Sequence, residues 1–384
     1  MPRLFRSFVS GENHEVFPGN DLWEMPLHEE TSALRHPAIK NQPQRNSSIT
    51  IGQYLLACES ILKKNDGQIL NRAVQRHGVS KKIKQVYLFL EKHGAFYHPI
   101  RIEIITNGEE TLSLVANGAV SSEGMALAKS ENSLIERLNQ SHPFNHLPDV
   151  FGYDSLQMDQ CHVVFFIGEW FKGYQEFHAT RKRADHIVLW DGCGCEQFVP
   201  VEKAIGIYKK ASGILTDYYD IESFEQILAW HHGAGDFVVK MVQDHFKVKL
   251  ITVRNYGPLF EMEKNSKDGL PLLFALFLYF LKLTMGMRLD RLDGVGEPVM
   301  LPEGILDGVV AGFCESLDEK SKSHDLGDIK DAFCSFFKQF DASQIQMAME
   351  NLLGNMTVPE SEKKLIRGKS NPHCLKLFNI FENL

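Results

Sequence analysis

The hydrophobic pattern changes character along the chain, and this change constrains the fold more than any other feature. From His98 to Thr106 apolar and polar residues alternate, which is the period of a β-strand. Thr111 to Val120 is a second strand-like segment, and Asn107-Gly108 between the two is a strong turn signal. From Pro200 onward the spacing is mostly helical, apart from a loop-and-strand unit at residues 231–252. Helices are predicted at residues 200–219, 222–229, 269–286, 303–317, 327–339, 342–354 and 374–382. A strand-rich middle followed by a helical C-terminal half predicts an α+β fold with two lobes.

The N-terminal region has a different organisation. Residues 1–48 show no clear hydrophobic period and end in a polar tract, which predicts an irregular arm. Residues 49–95 are predicted to be a helical extension. Its three helices are expected to run to residue 63, from 67 to 76, and from near Ser80 to a C-cap signal at His93-Gly94. The remaining boundaries place a sheet-containing lobe at 96–175 and a mainly helical lobe at 176–384.

Charge and cysteine content exclude several classes of protein. A net charge of −8 and a pI near 6.1 argue against a general nucleic-acid binder, which would carry a basic stripe. The seven cysteines are odd in number and scattered, as expected for reduced thiols in a cytoplasmic protein. Cys193-Gly194-Cys195 is better explained as a glycine-rich turn than as a pair of metal ligands. The longest apolar run, Leu270 to Leu281, is too short to span a bilayer, so we expect no membrane segment.

The segment from Trp230 to Val239 is the strongest candidate for a functional loop. It places two histidines, His231 and His232, and Asp236 within six positions, beside two glycines that allow the backbone to approach a ligand. These side chains could bind a metal, move a proton or hold a phosphate. In an extended segment the two histidines point to different sides, so they are not expected to serve one centre. Asp236 is the first choice for a metal or substrate contact, with a loop cap as the alternative.

Two other segments carry candidate residues. Glu169 and Trp170 begin an aromatic and acidic stretch that could stack or hydrogen-bond a flat ligand, although a packed connection is the favoured interpretation. The segment Arg288 to Gly294 places four charges in six positions after an apolar helix. Arginine and aspartate form bidentate pairs that lock a helix end, which is the favoured reading of that segment. The alternative is that Arg288 or Arg291 binds an anion.

The order of these parts resembles the protein-kinase-like fold, in its aminoglycoside phosphotransferase and choline kinase branch. The resemblance covers roughly residues 95–300 and consists of element order and loop position. It implies a two-lobed architecture with a small antiparallel sheet lobe and a mainly helical C-terminal lobe. It also implies that the glutamate helix carries Glu131 or Glu136, and that the last strand and hinge contain Glu169 and Trp170. Residues 231–240 would be the catalytic loop and 247–252 the metal-binding strand. The implied cofactor is ATP or GTP with Mg²⁺.

Several chemical groups of that family are missing. No lysine lies within Thr111 to Val120, where Asn117 is the most central polar residue, and there is no glycine-rich phosphate loop. If Asp236 takes the position of the loop asparagine, His231 falls on the catalytic aspartate. Thr252 or Arg254 replaces the aspartate that ends the metal strand. The preferred prediction is therefore a nucleotide or small anionic-ligand binding protein on a kinase-like scaffold that has lost phosphotransfer.

Three alternatives remain open. The first is an active phosphotransferase, with Asp236 on a cation, His231 or His232 as base, and Arg254 on an anionic substrate. Its acceptor would be a small-molecule hydroxyl, since no D-F-G or A-P-E signature is present. The second is a regulatory protein that binds a protein partner through the N-terminal helices. The third is a metal-dependent hydrolase built on His231, His232 and Asp236.

Overall fold

The chain divides into two compact units. The computed structural model describes residues 4–10, 14–27, 49–78, 82–91, 96–158, 161–190, 195–230, 232–260, 270–294, 296–323 and 327–384. The first unit contains Met1–Ser141 and Pro148–Lys172, and the second contains His142–Leu147 and Gly173–Leu384. The fold is α+β, with a large mixed sheet in the first unit and a helical C-terminal region in the second. The domain boundaries after residues 48, 95 and 175 stay predictions.

A seven-stranded sheet forms the centre of the first unit. Its strands are β1 (Phe5–Val9), β2 (Glu15–Val16), β3 (Ile83–Leu90), β4 (His98–Thr106), β5 (Thr111–Ala119), β6 (Val150–Met158) and β7 (Cys161–Glu169). Their order in the sheet is β2-β1-β3-β4-β5-β7-β6. β1 runs parallel to β3, and the other neighbours are antiparallel. The predicted strand at 98–106 is confirmed, because every second side chain of β4 is buried.

Two predictions for the N-terminal region are wrong. The helix expected from Ser80 to Gly94 is replaced by β3, in which Val86, Leu88 and Leu90 alternate into the core. This segment is a strand because it pairs with β1 on one side and with β4 on the other, and its alternating burial has the period of two that a strand requires. The arm expected at 1–48 contributes β1, β2 and the short helix α1 (Asp21–Glu24), while residues 28–48 lie outside the described residues. The sheet is therefore larger than predicted, and mixed where an antiparallel one was expected.

Helix α2 (Ile51–Arg76) follows the N-terminal strands. A capping box begins it: Thr50 Oγ1 accepts a hydrogen bond from Gln53 N, and the Gln53 side chain accepts one from Thr50 N. The backbone is not helical from residue 64 to 67, where Asn65 and Asp66 have φ values of 49° and 54°. α2 therefore consists of two halves, as the sequence predicted. The protein partner expected at these N-terminal helices stays a prediction.

Gly118 lets α2 pack closely against the sheet. Tyr54 of α2 is fully buried, and its hydroxyl donates a 2.5 Å hydrogen bond to the carbonyl of His98. A Cβ atom on Gly118 would lie 1.8 Å from that hydroxyl. Gly118 therefore lies inside β5, where the absence of a side chain makes room for Tyr54. Helix α3 (Ser122–Ser141) confirms the helix predicted at 123–139.

The second unit contains short antiparallel strands and six described helices. β8 (Glu176–Ala179), β9 (His186–Trp190) and β10 (Glu196–Pro200) form one sheet. The strand pairs are β11 (Glu225–Leu228) with β14 (Asn255–Pro258), β12 (Phe237–Val242) with β13 (His245–Leu250), and β15 (Leu289–Arg291) with β16 (Pro298–Met300). The helices are α4 (Val201–Asp217), α5 (Leu270–Arg288), α6 (Ile305–Ser323), α7 (Ile329–Phe337), α8 (Ala342–Asn355) and α9 (Glu360–Glu382).

Most predicted helices of this unit are confirmed, and one is wrong. Residues 225–228 of the expected helix 222–229 form β11, because they pair with β14 from Glu225↔Pro258 to Leu228↔Asn255. The helix expected at 374–382 is the end of the longer α9. α5, the most apolar helix, has a largely buried surface in its second half. No helix in the described part of the chain is long and apolar enough to cross a membrane.

Glycines bring α6 and α4 into close contact. A Cβ atom on Gly312 would lie 1.9 Å from the carbonyl oxygen of Lys209, and one on Gly308 would lie 2.5 Å from that of Ile205. The two glycines are one helical turn apart, so they form one small-residue face that admits the backbone of α4. The neighbouring core is aromatic. It contains the buried rings of Phe277, Phe280, Phe313, Phe333, Phe337 and Phe381.

A short strip, His142–Leu147, belongs to the second unit although both flanking segments belong to the first. His146 Nε2 donates to Asp217 Oδ2 at the end of α4, 2.9 Å away, and the His146 carbonyl accepts from Leu250 N at 3.0 Å. Lys249 Nζ donates to Asn145 Oδ1 at 2.9 Å. The strip thus connects the end of α4 with the end of β13.

Candidate functional site

The loop between β11 and β12 is attached to its surroundings by backbone hydrogen bonds. Gly233 N donates to the carbonyl of Gly286 in α5 (3.1 Å), and Ile251 N donates to the carbonyl of Asp236 (2.9 Å). Gly235 has a φ of +91°, a conformation that favours glycine. Gly233 therefore connects the loop to α5, and Gly235 allows the backbone turn that precedes Asp236. His231, the predicted catalytic residue of this loop, lies outside the described residues.

At the start of β12, the buried Asp236 forms an ion pair with the half-buried Arg254. Asp236 is 6% exposed, and Arg254 Nη2 donates to its Oδ1 at 2.8 Å. Arg254 Nη1 also donates to the carbonyl of Ala229 at 3.3 Å. The guanidinium therefore connects both ends of the loop and neutralises its buried carboxylate. The sequence selected both residues, and the structure brings them together as partners of each other.

His232 contacts a glutamate that sequence reasoning missed. His232 Nε2 lies 3.4 Å from Glu362 Oε1, and Arg291 Nη2 donates to the same oxygen at 3.0 Å. Glu362 is 2% exposed and lies in the first turn of α9. Nothing near Glu362 in the sequence marks it, because its partners come from distant segments. His232 thus contacts a carboxylate, that of Glu362, whereas Asp236 contacts a cation, that of Arg254.

A buried lysine lies beside the start of the loop. Lys282 of α5 is 6% exposed, and its Nζ lies 5.4 Å from the centre of the Trp230 ring and 3.5 Å from Gln226 Oε1. Burial lowers the pKa of Lys282 to about 7. Trp230, Lys282 and Glu362 line part of a cavity of about 20 Å³, enough for a molecule the size of water.

Arg288 holds the end of α5, as the favoured interpretation predicted, but its partners are not the aspartates of its own segment. Arg288 is 1% exposed and donates from Nε to the Leu301 carbonyl (2.8 Å), from Nη1 to His373 Nδ1 (3.0 Å) and from Nη2 to Glu303 Oε1 (2.7 Å). Burial and the adjacent guanidinium lower the pKa of His373 to about 3, so this ring is neutral. Because Nδ1 accepts, Nε2 carries the proton and donates to Thr284 Oγ1 at 3.2 Å.

The predicted cofactor-binding residues Glu131, Glu169 and Trp170 belong to the first unit. Glu131 lies on α3, is 1% exposed, and accepts a 2.7 Å hydrogen bond from the hydroxyl of Tyr97. Glu169 ends β7, and its backbone N donates to the carbonyl of Asp149 at 2.8 Å. Trp170 N donates to the Ser113 carbonyl at 3.1 Å. These contacts fit a packed connection, the favoured reading of the segment.

No family model matches the chain, and no curated protein matches its sequence significantly. Within the described residues, no group of three or more histidine, cysteine, aspartate or glutamate side chains is arranged to hold a metal ion. The assignment of a function therefore depends on the contacts of the loop itself, and above all on the Arg254–Asp236 pair.

Proposed function

We propose that the chain binds a nucleotide or another small anionic ligand on a kinase-like scaffold that no longer transfers phosphate. The element order in the second unit supports this proposal. Helix α4 is followed by β11, the loop, the β12–β13 hairpin, the segment with Arg254, and β14, which returns to pair with β11. The helix, the loop and the two strands of the hairpin come in the order that the resemblance to the phosphotransferases implies, whereas β11 and β14 were not part of that expectation.

The observation that carries the proposal is the Arg254–Asp236 ion pair. In an active phosphotransferase a carboxylate at this position would hold Mg²⁺, which balances the phosphate charge. Here Arg254 Nη2 lies 2.8 Å from the Asp236 carboxylate, so a metal ion would have to displace a guanidinium. Arg254 thus lies where the family uses a metal, and a guanidinium is a side chain that binds phosphate or carboxylate groups.

The environment of Glu131 also supports a loss of catalysis. In the kinase-like family the glutamate of this helix pairs with a lysine that holds the phosphates. β5 contains no lysine, and Glu131 accepts its hydrogen bond from Tyr97. The hydrolase alternative has less support, because His232 and Asp236 contact Glu362 and Arg254 respectively.

Thermal unfolding with nucleotides tests the proposal. The full chain is heated with ATP or GTP at millimolar concentration, once with Mg²⁺ and once with a chelator. A ligand that binds only the folded state raises the midpoint temperature of unfolding. At a ligand concentration of one hundred times Kd, the free energy of unfolding rises by about 2.7 kcal/mol. We expect a shift that does not require Mg²⁺, is lost in Arg254→Gln and is kept in Asp236→Asn, each compared with its own ligand-free midpoint.

Two outcomes would contradict this assignment. A shift that needs Mg²⁺ and disappears in Asp236→Asn would indicate a metal site and favour the active phosphotransferase with Asp236 and His231. The absence of any shift with either nucleotide, and with inorganic phosphate or pyrophosphate, would remove the anionic-ligand proposal. It would leave the regulatory protein as the better hypothesis.

A further inference from the structure

Helices α6 and α7 form an antiparallel pair whose register is fixed by several contacts. Ile329 N donates to Ser321 Oγ at 3.1 Å, and Lys330 Nζ lies 3.1 Å from Asp318 Oδ1. Further along, the rings of Phe313 and Phe333 meet with centroids 4.9 Å apart. As the residue number falls along α6, that of its partner rises along α7.

This register places Cys314 opposite Cys334. Both cysteines are half-buried and reduced, and their thiols lie close enough for each to shift the pKa of the other. Each cysteine follows one member of the Phe313–Phe333 ring pair, so the aromatic contact holds the two thiols beside each other. A small oxidant can reach half-buried sulfur atoms, whereas Cys58 and Cys374 are buried.

The two thiols are not equivalent. The neighbouring thiol of Cys314 lowers the pKa of Cys334, together with the positive charges of Lys330 and Lys338, which lie one helical turn before and after Cys334 on α7. The neighbouring Cys334, together with burial, raises the pKa of Cys314. Since the thiolate is the reactive form, Cys334 is the better nucleophile of the pair.

We propose that Cys314 and Cys334 are an oxidation site at which a small peroxide converts the two thiols into a disulfide between α6 and α7. The Cys334 thiolate attacks one peroxide oxygen, the O–O bond breaks, and the leaving hydroxide takes a proton to become water. Cys334 is then a sulfenic acid. Cys314 loses its proton and attacks the Cys334 sulfur; the S–S bond forms, the S–O bond breaks and a second water leaves. The two thiols lose two electrons and the peroxide gains them.

Peptide mapping of the full-length protein tests this proposal. Cleavage after lysine and arginine releases residues 292–320 and 331–338, which contain Cys314 and Cys334 as their only cysteines. The protein is treated with hydrogen peroxide at a low molar excess, its remaining thiols are alkylated, and it is digested without reductant. We expect these two peptides to appear as one linked species that a reductant separates. Oxidation of Cys193 or Cys195 would appear in a different peptide.

Single substitutions separate the roles of the two cysteines. In Cys314→Ser the sulfenic acid on Cys334 has no resolving thiol, so dimedone should label residues 331–338. In Cys334→Ser, Cys314 should stay reduced under the same treatment. Cys374→Ser is the matched control and should keep the linked peptide.

The proposal is overturned if the linked peptide does not form while the exposed Cys195 becomes oxidised. It is also overturned if the link forms only after urea unfolds the chain. Equal dimedone labelling of Cys314 in Cys334→Ser and of Cys334 in Cys314→Ser would overturn the assigned roles.

Discussion

The second unit accommodates buried ionisable side chains in two ways: by pairing them with an opposite charge, or by lowering their pKa. Asp236 and Arg288 each have a partner of opposite charge within hydrogen-bond distance. Lys282 and His373 shift towards the neutral form, because burial lowers the pKa of each. For a paired side chain, the free energy of unfolding depends on the partner being present. For a side chain with a lowered pKa, the free energy of unfolding depends on pH.

The substitution Lys282→Met tests whether burial lowers the pKa of Lys282. The pKa of Lys282 falls from 10.5 to about 7 in the folded chain, so between these pH values the unfolded state binds more protons than the folded state. The free energy of unfolding of the wild type therefore rises with pH across this window, and the lysine costs most below pH 7. We expect the methionine variant to be more stable at pH 6, by at most about 5 kcal/mol at 1.36 kcal/mol per pKa unit.

Urea unfolding of both proteins from pH 6 to pH 9.5 measures this difference. The advantage of the variant should shrink steadily as the pH rises. Lys210→Met, a change at an exposed lysine of α4, is the control and should alter stability by less than about 0.5 kcal/mol. An advantage of Lys282→Met that stays constant over the whole range would show that Lys282 is charged in the folded protein.

At the scale of elements, the α4–α6 contact depends on the absence of side chains. Gly312→Ala places a methyl group where the carbonyl of Lys209 lies, so the helices must separate. Overpacking of this kind costs about 1–3 kcal/mol.

Gly368 of α9 is the matched control, because a Cβ there meets no atom within 4 Å. Gly368→Ala should stabilise by about 0.5–1 kcal/mol through helix propensity. Thermal unfolding of the two variants should give shifts of opposite sign; a loss of stability in both would refute the close-contact explanation.

The sequence predicted those elements whose own period decides their structure. β4 and most helices of the second unit belong to this group, since one face of each is buried. It failed at β3, β11 and β1, which are strands because distant partners pair with them. A short apolar segment fits either a helix or a strand, and the partner strands are invisible to a local pattern.

The same limit applies to the candidate site. Asp236 and Arg254 were found because they flank a hairpin whose ends lie together. Glu362 was missed, because its contacts with His232 and Arg291 join segments far apart in the chain. The Cys314–Cys334 contact was also missed, since it depends on the register between two helices.

At the scale of the whole molecule, the strip His142–Leu147 should stabilise the second unit and not the sheet of the first. His146→Ala removes the 2.9 Å hydrogen bond to Asp217 at the end of α4. Loss of such a bond to a charged group costs about 1.5–3 kcal/mol. We expect faster amide hydrogen exchange in α4 and β13, with the exchange of β3, β4 and β5 unchanged. His162→Ala, at an exposed position of β7, is the control; faster exchange in those three strands of the His146 variant would contradict this assignment.

The position of this strip also limits how the chain can be rearranged. The path enters the second unit at residue 142, returns to the first at 148 and enters the second again at 173. A single recombination crossover therefore cannot keep both units intact, because wherever it falls at least one unit receives segments from both parents. Three crossovers, one at each end of the strip His142–Leu147 and one after residue 172, are needed to combine complete units from two homologous chains.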